Sequence, residues 1–213
     1  MNKQNYIKIK GNVEDRLKEI RKFSLKKECM VLSKINDQNK SEQSRNLFPM
    51  YQQLIKDYKE LSSKSSSSLE DISHIIILSS ACEGLIKIVL LTDDPYDYLD
   101  AERRDRTLGK LKKKLIDKLR EKDKNNDNIM VVEKVLDLII DLRNKFVHFP
   151  IYYEYDYRFE RLYFNLMAYI IEAFGYWNEI DEEVARYIKE KAKQKVNGID
   201  LLDGVVLYGQ IKK

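Results

Sequence analysis

The stretch LIIDLRNKFVHFP, residues 138–150, joins the end of an apolar run to an arginine and a histidine. Apolar residues recur at helical spacing before and within it, which predicts a core helix over 129–148. The residue before a proline avoids the α conformation, so Pro150 predicts that this helix ends at or near His148. Arg143 and His148 are therefore expected in the last two turns of a core helix.

The residue types in this stretch are suited to phosphate chemistry. An arginine carries a fixed charge and a fork of donors that matches phosphate oxygens, and a histidine moves protons near neutral pH. Asn144 and His148 are four residues apart and share one helix face, whereas Arg143 is about 140° around an ideal helix from His148. The pattern suggests phosphodiester chemistry on RNA, and only the long side chain of Arg143 or a loosened last helix turn would bring the two heads together within one chain.

The composition indicates one domain, or one domain with short appendages, with a core under a highly charged surface. The chain has 213 residues, of which 35% are charged and 43% are hydrophobic. Seven glycines and three prolines are too few for a turn-rich all-β fold. The net charge of +4 does not by itself indicate nucleic acid.

Several classes of protein are disfavoured by what the sequence lacks. The two cysteines, Cys29 and Cys82, have no zinc spacing, and Cys82 is expected to be a small core residue in a reducing compartment. The N-terminus lacks the apolar segment of a signal peptide. The apolar run 75–91 is short for a membrane span and contains Glu83 and Lys87, so a buried helix is expected. We therefore expect a soluble cytoplasmic protein with no membrane segment, no cofactor and no metal.

Helical periodicity runs through most of the chain and predicts an all-α bundle of six or seven helices. Short strands at residues 5–10 and near the C-terminus could be added. The predicted helices cover residues 13–35, 46–61, 68–91, 107–122, 129–148, 157–179 and 181–196.

A basic segment precedes the opening helix. Between Arg103 and Lys124 the sequence has eleven Lys or Arg residues against four Asp or Glu residues. Such an excess fits a phosphate-binding face, and a solvated helix surface explains it equally well. The candidate RNA-binding residues are Lys110, Lys112, Lys113, Lys114 and Lys145.

With these features together, the sequence resembles the HEPN superfamily (higher eukaryotes and prokaryotes nucleotide-binding domains). Its members are α-helical, and many are metal-independent endoribonucleases with an Arg-x(4–6)-His signature, often with a polar residue directly after the arginine. RNKFVH at 143–148 matches the four-residue form. ACEGLIKIVL at 81–90 places Glu83 and Lys87 in an otherwise apolar helix, as in many members. The resemblance covers roughly residues 68–178.

The resemblance implies a role for each residue of the motif. His148 would be the general base or acid for attack of a ribose 2′-OH on the adjacent phosphate. Arg143 would stabilise the charge on the phosphorane, and Asn144 would orient or bind the phosphate. The resemblance also implies RNA as substrate, a homodimer with a composite cleft, and a toxin–antitoxin or anti-phage setting with an antitoxin or sensor partner. A subset of HEPN toxins has a tyrosine two residues after the histidine, where this chain has Pro150.

Other interpretations remain open from the residues alone. Arg143 and His148 could be a cation cluster at a helix C-terminus, and Glu83 could hold Arg143 or pair with Lys87 four residues later. His74 is expected to be a core or surface histidine rather than catalytic. The chain could instead be a HEPN-fold module that binds RNA, nucleotide or protein without cleavage, or an unrelated all-α dimeric scaffold.

The expected domain organisation has three segments that form one compact unit. Residues 1–67 are an N-terminal helical extension packing on the core, 68–180 are the HEPN-like core, and 181–213 are a C-terminal helix and tail.

Overall fold

The computed structural model describes residue 45 and residues 47–63, 68–93, 108–148 and 157–193, and these form an all-α bundle. The prediction of the fold class is confirmed. Within these ranges there are six α-helices, one 3₁₀ turn and no strand. The α-helices are α1 (Phe48–Ser62), α2 (Ser68–Asp93), α3 (Leu108–Lys122), α4 (Asn126–His148), α5 (Tyr157–Phe174) and α6 (Glu182–Lys193), and the 3₁₀ turn is Trp177–Glu179.

Helix α2 is the centre of the bundle and contacts α1, α3, α4 and α5. Its sequence is apolar on nearly every face, which is typical of a helix that is surrounded by others. Between Leu78 and Thr92 its side chains are buried except for a narrow stripe. Cys82 is among the buried ones, as expected, and burial raises the pKa of its thiol to about 12.

Helix α5 is the second buried helix, and every residue from Leu162 to Ile171 is buried. The polar side chains within this stretch, those of Tyr163, Asn165 and Tyr169, form hydrogen bonds inside the bundle, as buried polar groups usually do. The hydroxyls of Tyr163 and Ser79 on α2 are 2.7 Å apart. The Asn165 amide donates to the backbone carbonyl of Ala192 on α6 at 3.2 Å.

The predicted helix over 157–179 is wrong at its C-terminal end, because α5 ends at Phe174. Gly175 has φ +74°, which glycine adopts without steric cost. Its N–H donates to the carbonyl of Glu172 at 3.1 Å, and the next N–H, of Tyr176, donates to that of Ile171 at 2.9 Å. These two bonds form a Schellman cap, and a 3₁₀ turn follows in place of further α-helix.

The predicted start of the helix carrying the motif is also wrong, by three residues. Helix α4 begins at Asn126 because Asn125 caps it, with its side-chain oxygen accepting from the N–H of Asp127 at 3.2 Å. Buried Asp123 fixes the turn before it and accepts from the N–H of Asn125 at 2.9 Å. Its other oxygen accepts from Asn128 at 2.9 Å and from the hydroxyl of Tyr169 at 2.7 Å.

The outer helices α1 and α6 belong to the same hydrophobic core as the central ones. Helix α1 packs on α2, and α6 packs on α5. Ion pairs join the two outer helices to each other, from Lys56 to Asp181 at 2.8 Å and from Lys59 to Glu183 at 2.7 Å. The predicted strands and the predicted helix over 13–35 lie outside the described residues.

Among the described residues, the segment Ser73–Asp93 is long and apolar enough to cross a membrane by length and composition. Of its most apolar window, 67% is buried within the bundle. A buried core helix of a soluble protein meets the same two criteria, so length and composition do not distinguish a membrane helix from a core helix here.

Candidate functional site

Helix α4 places Arg143 at the edge of the core. Ile139 is fully buried and Leu142 is 6% exposed, so they fix this part of the helix against its neighbours. Arg143 follows directly and is half-buried, with 41% of its side chain exposed. The helix continues to His148, as predicted.

Glu83 on the central helix holds Arg143. Its Oε2 lies 3.3 Å from the Nη2 of Arg143. Its Oε1 lies 2.7 Å from the Nζ of Lys87, which is one turn later on α2. The sequence left open which of the two cations Glu83 binds. It binds both, one on each carboxylate oxygen.

The cluster of Glu83, Lys87 and Arg143 has two cations for one carboxylate and therefore an excess of one positive charge. The Glu83 side chain is only 15% exposed, whereas Lys87 is 36% exposed. The anion thus lies inside and the cations lie outside, where they keep donors for a further partner. Pairs with this much exposure contribute about 0–1 kcal/mol, so the main effect of Glu83 is to fix the position of the two cations.

The remaining residues of the motif follow on the same helix. Asn144 is exposed beside Arg143. By the helical period, position 148 is about 40° around α4 from position 144 and about 140° from position 143. The side chains of Lys145 and His148 lie outside those that the structure describes.

The basic helix α3 is less available for RNA than its sequence suggests. Lys110 and Lys113 are exposed, and Lys114 is half-buried. Lys112 is different, because its Nζ contacts Asp137 at 2.7 Å and Glu133 at 3.4 Å on α4. Two other lysines of α3, Lys118 and Lys122, contact Asp93 at the end of α2 at 3.5 and 2.8 Å.

His74, the other histidine of the sequence, lies away from the cluster. His74 is 5% exposed and packs edge-on against Tyr58 at 5.4 Å between ring centroids. It is nine residues before Glu83 on α2, which is about 13 Å along the axis. No group of three His, Cys, Asp or Glu side chains in the described ranges is arranged to hold a metal ion. The acidic residues Asp94, Asp97 and Asp100 lie outside those ranges.

No protein-family model, curated protein or solved structure matches the chain.

Sequence reasoning passed over Lys87 as a site residue. Its spacing of four from Glu83 was visible in the sequence, and so was its polar character in an apolar helix. The contact from Glu83 to Arg143, sixty positions along the chain, is what brings Lys87 to the motif.

Proposed function

We propose that this protein is a metal-independent endoribonuclease of HEPN type, cytoplasmic and active in toxin–antitoxin or anti-phage defence. The observation that carries the proposal is the contact between Glu83 and Arg143. It anchors the arginine of the motif on the central helix while 41% of the side chain stays exposed. An arginine that is fixed and open to solvent is suited to stabilise charge on a bound phosphate.

The proposed reaction is an internal transfer on RNA. The ribose 2′-oxygen forms a bond to the adjacent phosphorus while the bond from phosphorus to the 5′-oxygen breaks. His148 takes the proton of the 2′-OH or returns one to the leaving 5′-oxygen. Arg143 stabilises the phosphorane oxygens, and Asn144 orients the phosphate.

The helix geometry favours a homodimer as the active form. Positions 143 and 148 are about 140° apart around α4, so they face different directions in one chain. A second protomer whose α4 lies alongside would bring its position 148 toward the first protomer's Arg143. An antitoxin or sensor protein is a further partner in this proposal.

The exposed lysines of α3 and Lys145 are the proposed contacts to the rest of the RNA. We expect Lys113→Met to weaken RNA binding more than Lys112→Met. The reason is that the Lys112 ammonium already binds two carboxylates and its side chain is only 18% exposed.

The test is cleavage of single-stranded RNA by the purified protein in EDTA. Arg143→Ala is expected to lower the rate by at least about 10²-fold, and His148→Ala by about 10²–10⁴-fold. Arg186→Ala, an exposed arginine on α6, is the matched control and should cleave like the wild type. Equal activity of the Arg143→Ala and Arg186→Ala proteins would overturn the proposal.

A second candidate is a HEPN-fold module that binds RNA, nucleotide or protein without cleaving. The observation in its favour is that the Arg143 guanidinium already forms an ion pair with Glu83, as an arginine with a structural role does. Tight RNA binding with no cleavage by the wild-type protein would favour this candidate. An all-α scaffold would show neither binding nor cleavage.

A further inference from the structure

The central helix reaches the surface along a stripe that is polar from Ser80 to Lys87 and continues one turn earlier at Ile76, which is 43% exposed. Between Leu78 and Thr92 on α2, the four residues that are not buried are Ser80, Glu83, Gly84 and Lys87. They lie on one helix face by their spacing of three and four. None of these four has a large apolar side chain, so this part of the stripe resembles a ligand surface more than a packing face.

Lys87 and Arg143 lie on opposite oxygens of the Glu83 carboxylate. The Nζ of Lys87 and the Nη2 of Arg143 therefore contact the same carboxylate group, one on each of its oxygens. Both side chains are more than a third exposed, so each keeps donors that point away from Glu83. Two cations held this close form a local positive surface for an anion with several oxygens.

The surface beside the two cations is open. A Cβ built on Gly84 would meet no atom within 4 Å, so none of the residues that the structure describes covers α2 at this position between Glu83 and Lys87. Gly84 also leaves the backbone accessible to a close ligand. Ser80, one turn earlier, adds an exposed hydroxyl on the same face.

We propose that Lys87 is a phosphate-binding residue that forms a two-cation clamp with Arg143 for the phosphates of single-stranded RNA. Glu83 is the positioning residue of this clamp. In the free protein it offsets the repulsion between the two cations and holds them on α2 and α4. A bound phosphate accepts from the donors that Glu83 leaves open, with Arg143 giving the planar fork and Lys87 a compact charge. This inference rests on the proposed function, since it takes the same RNA as ligand.

The first experiment measures binding without cleavage. The probe is a fluorescent single-stranded RNA with 2′-O-methyl groups throughout, which removes the attacking hydroxyl, and its anisotropy is followed at several salt concentrations. Lys87→Met should raise Kd several-fold and lower the slope of log K against log salt by about 0.7, the value for one phosphate contact on a single strand. Lys87→Arg should restore both.

The matched control is Lys134→Met, which removes the same charge from an exposed position on α4. It lies nine residues before Arg143, or about 13 Å along the helix, and should leave the slope unchanged. Circular dichroism melts of both variants confirm that they are folded. An unchanged salt slope in Lys87→Met overturns the clamp, even if the wild-type protein cleaves RNA.

The second experiment separates positioning from binding. Glu83→Gln should keep or increase affinity for the methylated RNA, because a competing anion is gone. It should lower the rate of RNA cleavage at saturating substrate, because Arg143 is no longer held. An unchanged cleavage rate at saturating substrate in Glu83→Gln overturns the positioning role. A wild-type protein that binds through Lys87 but never cleaves would support the clamp and contradict the endoribonuclease proposal.

Discussion

The carboxylate of Glu83 on the central helix contacts the guanidinium of Arg143 on α4 at 3.3 Å, across sixty positions of sequence. The same carboxylate binds Lys87 at 2.7 Å. The arginine of the motif is thus fixed by a partner on the central helix of the bundle.

This contact is expected to contribute little to stability. Arg143 is 41% exposed, so solvent screens the pair. A double-mutant cycle with Glu83→Gln and Arg143→Ala, measured by urea unfolding, should give a coupling of about 0.2–1 kcal/mol. The surface pair Lys59–Glu183, also between two helices, is a suitable comparison. A coupling of several kcal/mol would instead assign Arg143 to the framework of the fold.

The buried carboxylate of Asp123 should matter far more to stability. Removing it leaves the hydroxyl of Tyr169 and the amide of Asn128 without their acceptor in sites that are 0% and 4% exposed. We expect Asp123→Ala to lower the free energy of unfolding by about 2–4 kcal/mol, and Tyr169→Phe by about 1.5–3 kcal/mol. Urea denaturation measures both. A loss below about 0.5 kcal/mol in Asp123→Ala would show that this network is not needed for the α3–α4 turn.

Two glycines should respond to alanine with opposite signs. Gly175 has φ +74°, where a Cβ costs about 1–2 kcal/mol, and the cost is purely a backbone one because a Cβ there meets nothing within 4 Å. Gly84 lies inside α2 with equally open space, so Gly84→Ala should stabilise by about 0.5–1 kcal/mol. Thermal melts of the two variants give the comparison. Stabilisation by Gly175→Ala would contradict the Schellman cap.

Alkaline pH should destabilise the fold through its buried thiol and phenols. Burial raises the pKa of Cys82 from 9.0 to about 12 and that of Tyr176 from 10.0 to about 12. Because the unfolded chain loses these protons first, the stability they contribute is complete below pH 9 and falls as pH rises from 9 to about 12. Unfolding free energies across this range check the trend, and Cys82→Ala should make it shallower.

The burial of Cys82 can also be tested by the rate at which its thiol is chemically labelled. In a Cys29→Ser background, Cys82 is the only cysteine, and at pH 8 an aromatic disulfide reagent should label it only as fast as the protein opens. Rapid labelling of the native protein would contradict its burial.

The helices of the fold were predictable because their signal is local. Periodicity placed α2 and the end of α4 to within two residues. The two errors, at the start of α4 and at the end of α5, lie where neighbouring residues were equally plausible as the helix end. Asn126 could cap or continue a helix, and the contacts of Asp123 with α5, which no local pattern contains, stabilise the earlier start. At Gly175 the apolar periodicity continued through Tyr176 and Trp177, and only the backbone geometry of the glycine ends the helix.

The candidate site was predictable only in part. Arg143 and Asn144 could be singled out from residue type and spacing, and Glu83 from its place in an apolar helix. That Glu83 binds two cations depends on how α2 and α4 pack, which no local pattern encodes. The same packing turns Lys112 from a plausible RNA contact into an ion-pair partner of Asp137.

The central place of α2 in the bundle affects how the site moves. Because α2 contacts α1, α3, α4 and α5 at once, its backbone amides lose their helical hydrogen bonds only when most of the described bundle comes apart. Hydrogen exchange near Glu83 and Lys87 should therefore be as slow as global unfolding. Lys87, which would meet the phosphate, and Glu83, which positions it, lie on the segment that opens last, so ligand binding at Lys87 needs no ordering of the backbone beneath it.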